Sequence, residues 1–184
     1  MQIVPAILTD KRTEFVELAG LIKKDGRFSR VQVDFIDEAF SNKTIGVVET
    51  DLPDFRPLKF DAHLMTNSTD LDTDVFEARA VGYDRIIAQV ESIENQGEYI
   101  NWVTHEAPGK YEVGVGVDLE TSVEEIDETT FGQVDVILLM SVEAGFGGQL
   151  FDNRVIEKVK ELNYIREQGR HRYRICVDGG MEKV

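Results

Sequence analysis

Short runs of apolar and β-branched residues punctuate the chain at 2–8, 30–36, 59–65, 85–90, 112–117, 134–142 and 173–177. Runs of this length predict buried strands. Between them the apolar positions switch to helical spacing. Phe15, Leu18, Ala19, Leu21 and Ile22 predict a helix that stops near Gly26. Val75, Phe76, Ala78, Ala80 and Val81 predict a second, closed by Gly82. Val155, Ile156, Val159, Leu162 and Ile165 predict another, with Asp152 or Asn153 as its N-cap. The acidic stretch 118–128 predicts one more surface helix, and Trp102, within 99–103, reads as a packing residue.

Strands alternating with helices predict parallel pairing through βα units, hence an α/β fold. A doubly wound dinucleotide-binding sheet would place Gly-x-Gly-x-x-Gly after the first strand, where this chain has Ile7-Leu8-Thr9-Asp10. Polar residues gather instead at the C-terminal ends of several strands: Asp34, Asp37, His63, Ser141 and Asp178. Chemistry spread over many strand ends is the pattern of a TIM (β/α) barrel. The pattern supplies seven strands, so the predicted fold is such a barrel lacking its eighth strand and helix. With no linker, low-complexity tract or repeat, residues 1–184 are predicted to form one domain, C-terminally incomplete.

Charge narrows the partners. A formal net charge of −15 argues against nucleic acid, because a phosphate backbone repels so acidic a surface. The basic residues near the end (Lys158, Lys160, Arg166, Arg170, Arg172, Arg174) are interleaved with Glu157, Glu161 and Glu167 and read as a solvated helix face. The one cysteine, Cys176, allows no intrachain disulfide, fits a reducing compartment and reads as a core thiol. The N-terminus has no signal-peptide pattern. The longest apolar run, 136–142, is far short of the roughly 20 residues that a membrane helix needs. A cytoplasmic protein without a membrane partner is expected.

If the strand assignments hold, Asp34, Asp37, His63 and Asp178 share one rim. Carboxylates flanking an imidazole can hold a divalent cation, or two opposed carboxylates can act as base and acid beside a carbonyl. Aspartates at strand ends also cap turns. The segment Gly145-Phe146-Gly147-Gly148-Gln149 follows an apolar strand. Its backbone N–H groups could converge on a phosphate, or the glycines could merely serve a turn. Asp178-Gly179-Gly180 repeats the theme. His105 and His171 lie in polar loop contexts and read as solvated.

Five ordered blocks carry a specific resemblance: Val4-Pro5-Ala6-Ile7-Leu8, Val31-Gln32-Val33-Asp34-Phe35-Ile36-Asp37, Asp61-Ala62-His63-Leu64-Met65, Leu139-Met140-Ser141-Val142-Glu143-Ala144-Gly145-Phe146-Gly147-Gly148-Gln149 and Val177-Asp178-Gly179-Gly180. Together they resemble the signature blocks of ribulose-phosphate 3-epimerases across nearly the whole chain. The resemblance implies an isomerase of pentose-phosphate metabolism that exchanges one proton at C3, interconverting D-ribulose 5-phosphate and D-xylulose 5-phosphate. It implies Asp34 and Asp178 as the proton-transfer pair. It also implies one divalent metal ion (Zn, Fe, Mn or Co) on Asp34, His63 and Asp178, with Gln32 at a fourth ligand position. Met65 and Met140 match positions lining the pocket. Ser141, Gly145, Phe146, Gly147, Gly148, Gly179 and Gly180 fall in the blocks that contact the phosphorylated sugar.

Departures from the family pattern are concentrated at the site. Gln32 replaces a metal-binding histidine, and an amide is a poor substitute for imidazole on Zn²⁺. Ala6 replaces a substrate-contacting serine, Glu38 a glycine, and Gln89 a histidine. Three functions therefore stand side by side: the pentose-phosphate epimerase, a related sugar-phosphate epimerase, and a catalytically silent barrel with a binding or structural role. Exposed first and seventh strands would favour a homo-oligomer.

Overall fold

The computed structural model of the chain describes residues 2–37, 44–50, 52–67, 69–105, 109–145 and 147–181. Its frame is one parallel seven-stranded sheet in simple sequence order. The strands are β1 (Ala6–Ile7), β2 (Arg30–Ile36), β3 (Lys59–Met65), β4 (Arg85–Gln89), β5 (Glu112–Val117), β6 (Val136–Met140) and β7 (Arg174–Asp178). Four α-helices are described: α1 (Arg12–Asp25), α2 (Leu71–Val81), α3 (Gln96–Thr104) and α4 (Val155–Gly169). The sheet curls until side chains of β2 and β7 touch, Gln32 Nε2 donating to Asp178 Oδ2 at 2.6 Å. It is a curled α/β half-barrel of the TIM-like kind. No helix is long and apolar enough to cross a membrane among the described residues.

The strand period of two sorts residues onto two faces. Val31, Val33 and Phe35 of β2, Phe60, Ala62 and Leu64 of β3, and Ile137 and Leu139 of β6 join the helix-side core with Phe15, Val75, Tyr99 and Leu162. Ile36, Met65, Ile87, Val136, Leu138 and Met140 form a separate apolar cluster on the inner face. Gly26 and Gly82 close α1 and α2 in the left-handed conformation, and Trp102 packs against the helix-side core.

Several expectations change in detail. The first strand shrinks to two residues, with one neighbouring strand. The stretch 118–128 does not form the expected helix: it holds a 3-10 turn at Val123–Glu125. Its backbone is held by side chains instead of a helical ladder: Ser122 accepts from the Glu124 amide, and Gln96 bonds the Glu125 carbonyl and the Asp127 amide. Leu21 and Phe76 point outward. The N-cap of α4 is Arg154, whose own amide donates to Asp152 Oδ1 at 2.8 Å. Lys158 is no solvated cation: its ammonium donates to the carbonyls of Asp118, Leu119 and Thr121 at 2.6–2.7 Å, tying the β5 exit to α4.

The N-terminal end of the inner face carries an ion network that the apolar pattern did not reveal. Arg30 and Arg85 both pair with Asp61, and both also reach Glu112. Arg174 adds a third guanidinium on Glu112 at 2.6 Å. Arg30, Asp61 and Arg85 are buried. Burial pushes Glu112 upward, but Arg85, Arg30 and Arg174 outweigh it and hold its carboxyl at about 2.

Candidate active site

At the opposite end of the same face, β2, β3 and β7 bring Asp34, His63 and Asp178 together. One ligand atom from each lies within 4.8 Å of the others. Asp34 and His63 are neighbours because β2 and β3 pair in register, Asp34 beside His63. His63 Nδ1 sits 3.0 Å from Asp34 Oδ1, and the imidazole is fully buried. Asp178 arrives from the far side of the curl. Burial pushes its carboxyl above the usual carboxylate range, the charge of Asp34 adds to that, and His63 and the Gln32 amide pull the other way. Gln32 stands in the middle, its Nε2 donating to Asp34 Oδ1 at 2.8 Å as well as to Asp178.

The glycine segments flank this cluster. Gly145, Gly148, Gly179 and Gly180 all have positive φ. Gly180 is fixed by space as well: a Cβ there would lie 2.3 Å from the Phe151 backbone nitrogen, so the two glycine-bearing loops meet at that point. Phe146 and Glu38 lie outside the described residues. Ser141 is fully buried, and its hydroxyl donates to the carbonyls of Asp178 and Gly179. It stitches the end of β6 to the loop after β7. Met65 and Met140 are buried in the inner cluster beside Ile36. Asp37 accepts from the backbone and side-chain nitrogens of Asn67 at 2.7 and 2.9 Å and so braces the turn after β3.

Gln89 contributes an unexpected feature. Both its amide atoms are buried without a hydrogen-bond partner, as is His63 Nε2. The pocket that admits them exists because residue 116 is glycine: a Cβ there would fall 2.2 Å from Gln89 Oε1 and 3.5 Å from His63 Nε2. The register of β4 with β5, Gln89 beside Gly116, could have signalled this once the strands were aligned.

Two carboxylates and an imidazole suit a borderline divalent cation, so the residues present fit a metal as a donor set. Two carboxylates and an imidazole brought together from three strand ends of a curled parallel sheet place the chain in the TIM-barrel class of enzymes. Comparison with known proteins narrows the class. The model of the ribulose-phosphate 3 epimerase family matches residues 2–184. A ribulose-phosphate 3-epimerase of Bacillus subtilis is 32% identical, with the match covering 100% of this chain and 82% of that protein. One from Encephalitozoon cuniculi is 28% identical over 90% of this chain and 71% of its own length. The chain belongs to the ribulose-phosphate 3-epimerase family, a family of isomerases. In fold it is also similar to a solved enolase-superfamily protein from Listeria innocua, with a TM-score of 0.56, 16% identity, and coverage of 99% of this chain and 44% of that one.

Proposed function

We propose that this chain interconverts D-ribulose 5-phosphate and D-xylulose 5-phosphate by moving one proton at C3. The observation that carries the reading is the approach of two carboxylates, Asp34 from β2 and Asp178 from β7, around one buried imidazole. In one direction Asp34 takes the C3 proton, and the C–H electron pair becomes the C2–C3 double bond while the carbonyl oxygen gains the charge. Asp178 then returns a proton to the opposite face of C3, and the C2 carbonyl re-forms. Nothing is oxidised or reduced, and the reverse reaction exchanges the two roles. Asp34, His63 and Asp178 would hold a divalent cation such as Zn, Fe, Mn or Co, which would supply Lewis-acid stabilisation of charge on the carbonyl oxygen. Backbone N–H groups of Gly145, Gly147, Gly148, Gly179 and Gly180 take the phosphate end, and Met65 and Met140 form an apolar wall against bulk water.

We propose further that residues 1–184 act as one sugar-phosphate-binding unit in the cytoplasm. In this reading they lack the eighth strand and helix of a complete barrel, and self-association covers the β1 and β7 edges. The test of the activity is deuterium incorporation at C3 of ribulose 5-phosphate in D₂O. Asp34→Asn and Asp178→Asn should each slow exchange by about 10²–10⁴-fold, the range for loss of a positioned acid or base. Exchange that survives in both variants would remove the two-aspartate reading. A wild-type protein whose melting temperature rises with ribulose 5-phosphate but which exchanges no deuterium would instead be the silent barrel. The bridging of both carboxylates by Gln32 is the observation that favours that second reading.

A further inference from the structure

The atom that touches all three candidate ligands is the amide nitrogen of Gln32. It lies 2.6 Å from Asp178 Oδ2, 2.8 Å from Asp34 Oδ1 and 3.4 Å from His63 Nδ1. Gln32 is buried, and an NH₂ group has two hydrogens, one for each carboxylate. Turned the other way, the amide would aim its oxygen at two anionic groups. The nitrogen end is therefore the one that fits between two facing carboxylates. A cation ligated by the same three atoms would sit about 2.0–2.2 Å from each of them. That position and the one held by the amide nitrogen overlap, so both cannot be filled together.

We propose that Gln32 is an internal competitor for the cation: its amide closes the metal-free site, and metal enters only as the side chain withdraws. The inference rests on the reading of Asp34, His63 and Asp178 as cation ligands. Closure makes the metal-free cluster self-sufficient, since a neutral donor holds the two carboxylates without help from a cation. Withdrawal has somewhere to go. Ala6 is the register partner of Gln32 on the edge strand and is an exposed residue, so no large side chain stands at that position beside Gln32. Gln32 then supplies the plug, and the small side chain at position 6 leaves the room it moves into.

Cobalt(II) titration reads this directly, through visible absorption bands and the melting temperature, without requiring turnover. The proteins are the full chain and its Gln32→Ala, Gln32→Asn and Asp34→Asn variants, with circular dichroism confirming that each is folded. Gln32→Ala should bind Co²⁺ at least tenfold more tightly than the wild type. Gln32→Asn, one methylene too short to bridge the carboxylates, should fall on the same side if Gln32→Ala does not fold. EDTA should leave the wild-type melting temperature unchanged, and Asp34→Asn should abolish uptake. Weaker binding by Gln32→Ala would make the Gln32 oxygen a ligand and overturn the proposal. Equal affinity would also overturn it while leaving the cation-ligand reading intact. No uptake by any folded variant would remove the cation-ligand reading itself, and the competitor with it.

Discussion

Glu112→Gln is the sharpest probe of the ion network at the base of the inner face. Glu112 receives Arg85 Nη2 at 2.6 Å, Arg174 Nη2 at 2.6 Å and Arg30 Nη2 at 3.1 Å, and its side chain is 30% exposed. Against the upward push of burial, these arginines take its carboxyl from an ordinary 4.5 to about 2. At about 1.4 kcal/mol per pH unit that drop corresponds to at most about 3.5 kcal/mol. Solvent screening of a partly exposed group reduces it to about 1.5–2 kcal/mol. The sign follows from the lowered value: the stabilisation is complete above the unfolded pKa and disappears as pH falls from 4.5 towards 2. Glu112→Gln should therefore lower stability at pH 7 by about 1.5–2 kcal/mol, or about 3–8 °C in melting temperature for a chain of this size. Urea unfolding of both proteins at pH 7, 5 and 3.5 checks the claim, and the gap should be narrowest at the lowest pH. A gap that stays constant across that range would show that the carboxylate's charge is not what the arginines recognise.

Three further substitutions probe other contacts. Gly116→Ala should cost about 1–3 kcal/mol in urea unfolding, because its Cβ would lie 2.2 Å from Gln89 Oε1 in a packed interior. It should also disturb the imidazole signals of His63 in NMR spectra. Gly180→Ala has no flexible neighbour to yield, its nearest atoms being backbone of Leu150 and Phe151, so calorimetry should show a loss of about 2 kcal/mol or more. Tyr99→Phe removes a buried hydroxyl that serves the carbonyls of Ile86 and Gly114 at 3.0 and 2.8 Å. It should cost about 1–2 kcal/mol, measured by the same unfolding curves.

The central strands were legible almost to the residue, because every second position is apolar and faces the helix-side core: β2, β3 and β5 coincide with the stretches that predicted them. The first strand was not, since its apolar run continues past the only two residues that pair with β2. The 118–128 stretch misled because its acidic composition suits a helix surface, whereas its turns depend on distant Gln96, which sequence order cannot place beside it. At the site, the convergence of Asp34, His63 and Asp178 was legible from strand-end positions. The place of Gln32 was only half visible: the family resemblance drew attention to position 32, but its nitrogen's reach to β7 needed the curl of the sheet. Arg30, Arg85, Glu112 and Arg174 were hidden for a different reason. Charged residues opening a strand look like solvated ends unless the strand is known to turn that position inward.

The inner face is stratified, and the strata separate two kinds of change. Along β4 the inward residues run Arg85, Ile87, Gln89, and along β7 they run Arg174, Cys176, Asp178. Ile87, Val136 and Leu138 belong to the apolar cluster that lies on this face between charged base and reactive rim. The groups that set acid tolerance and those proposed to handle substrate thus occupy opposite ends of the same strands, with a dry tier between them. Substitutions at the rim can change its chemistry without loosening the ionic base. This scaffold can lose, alter or regain a reaction while remaining the same folded object.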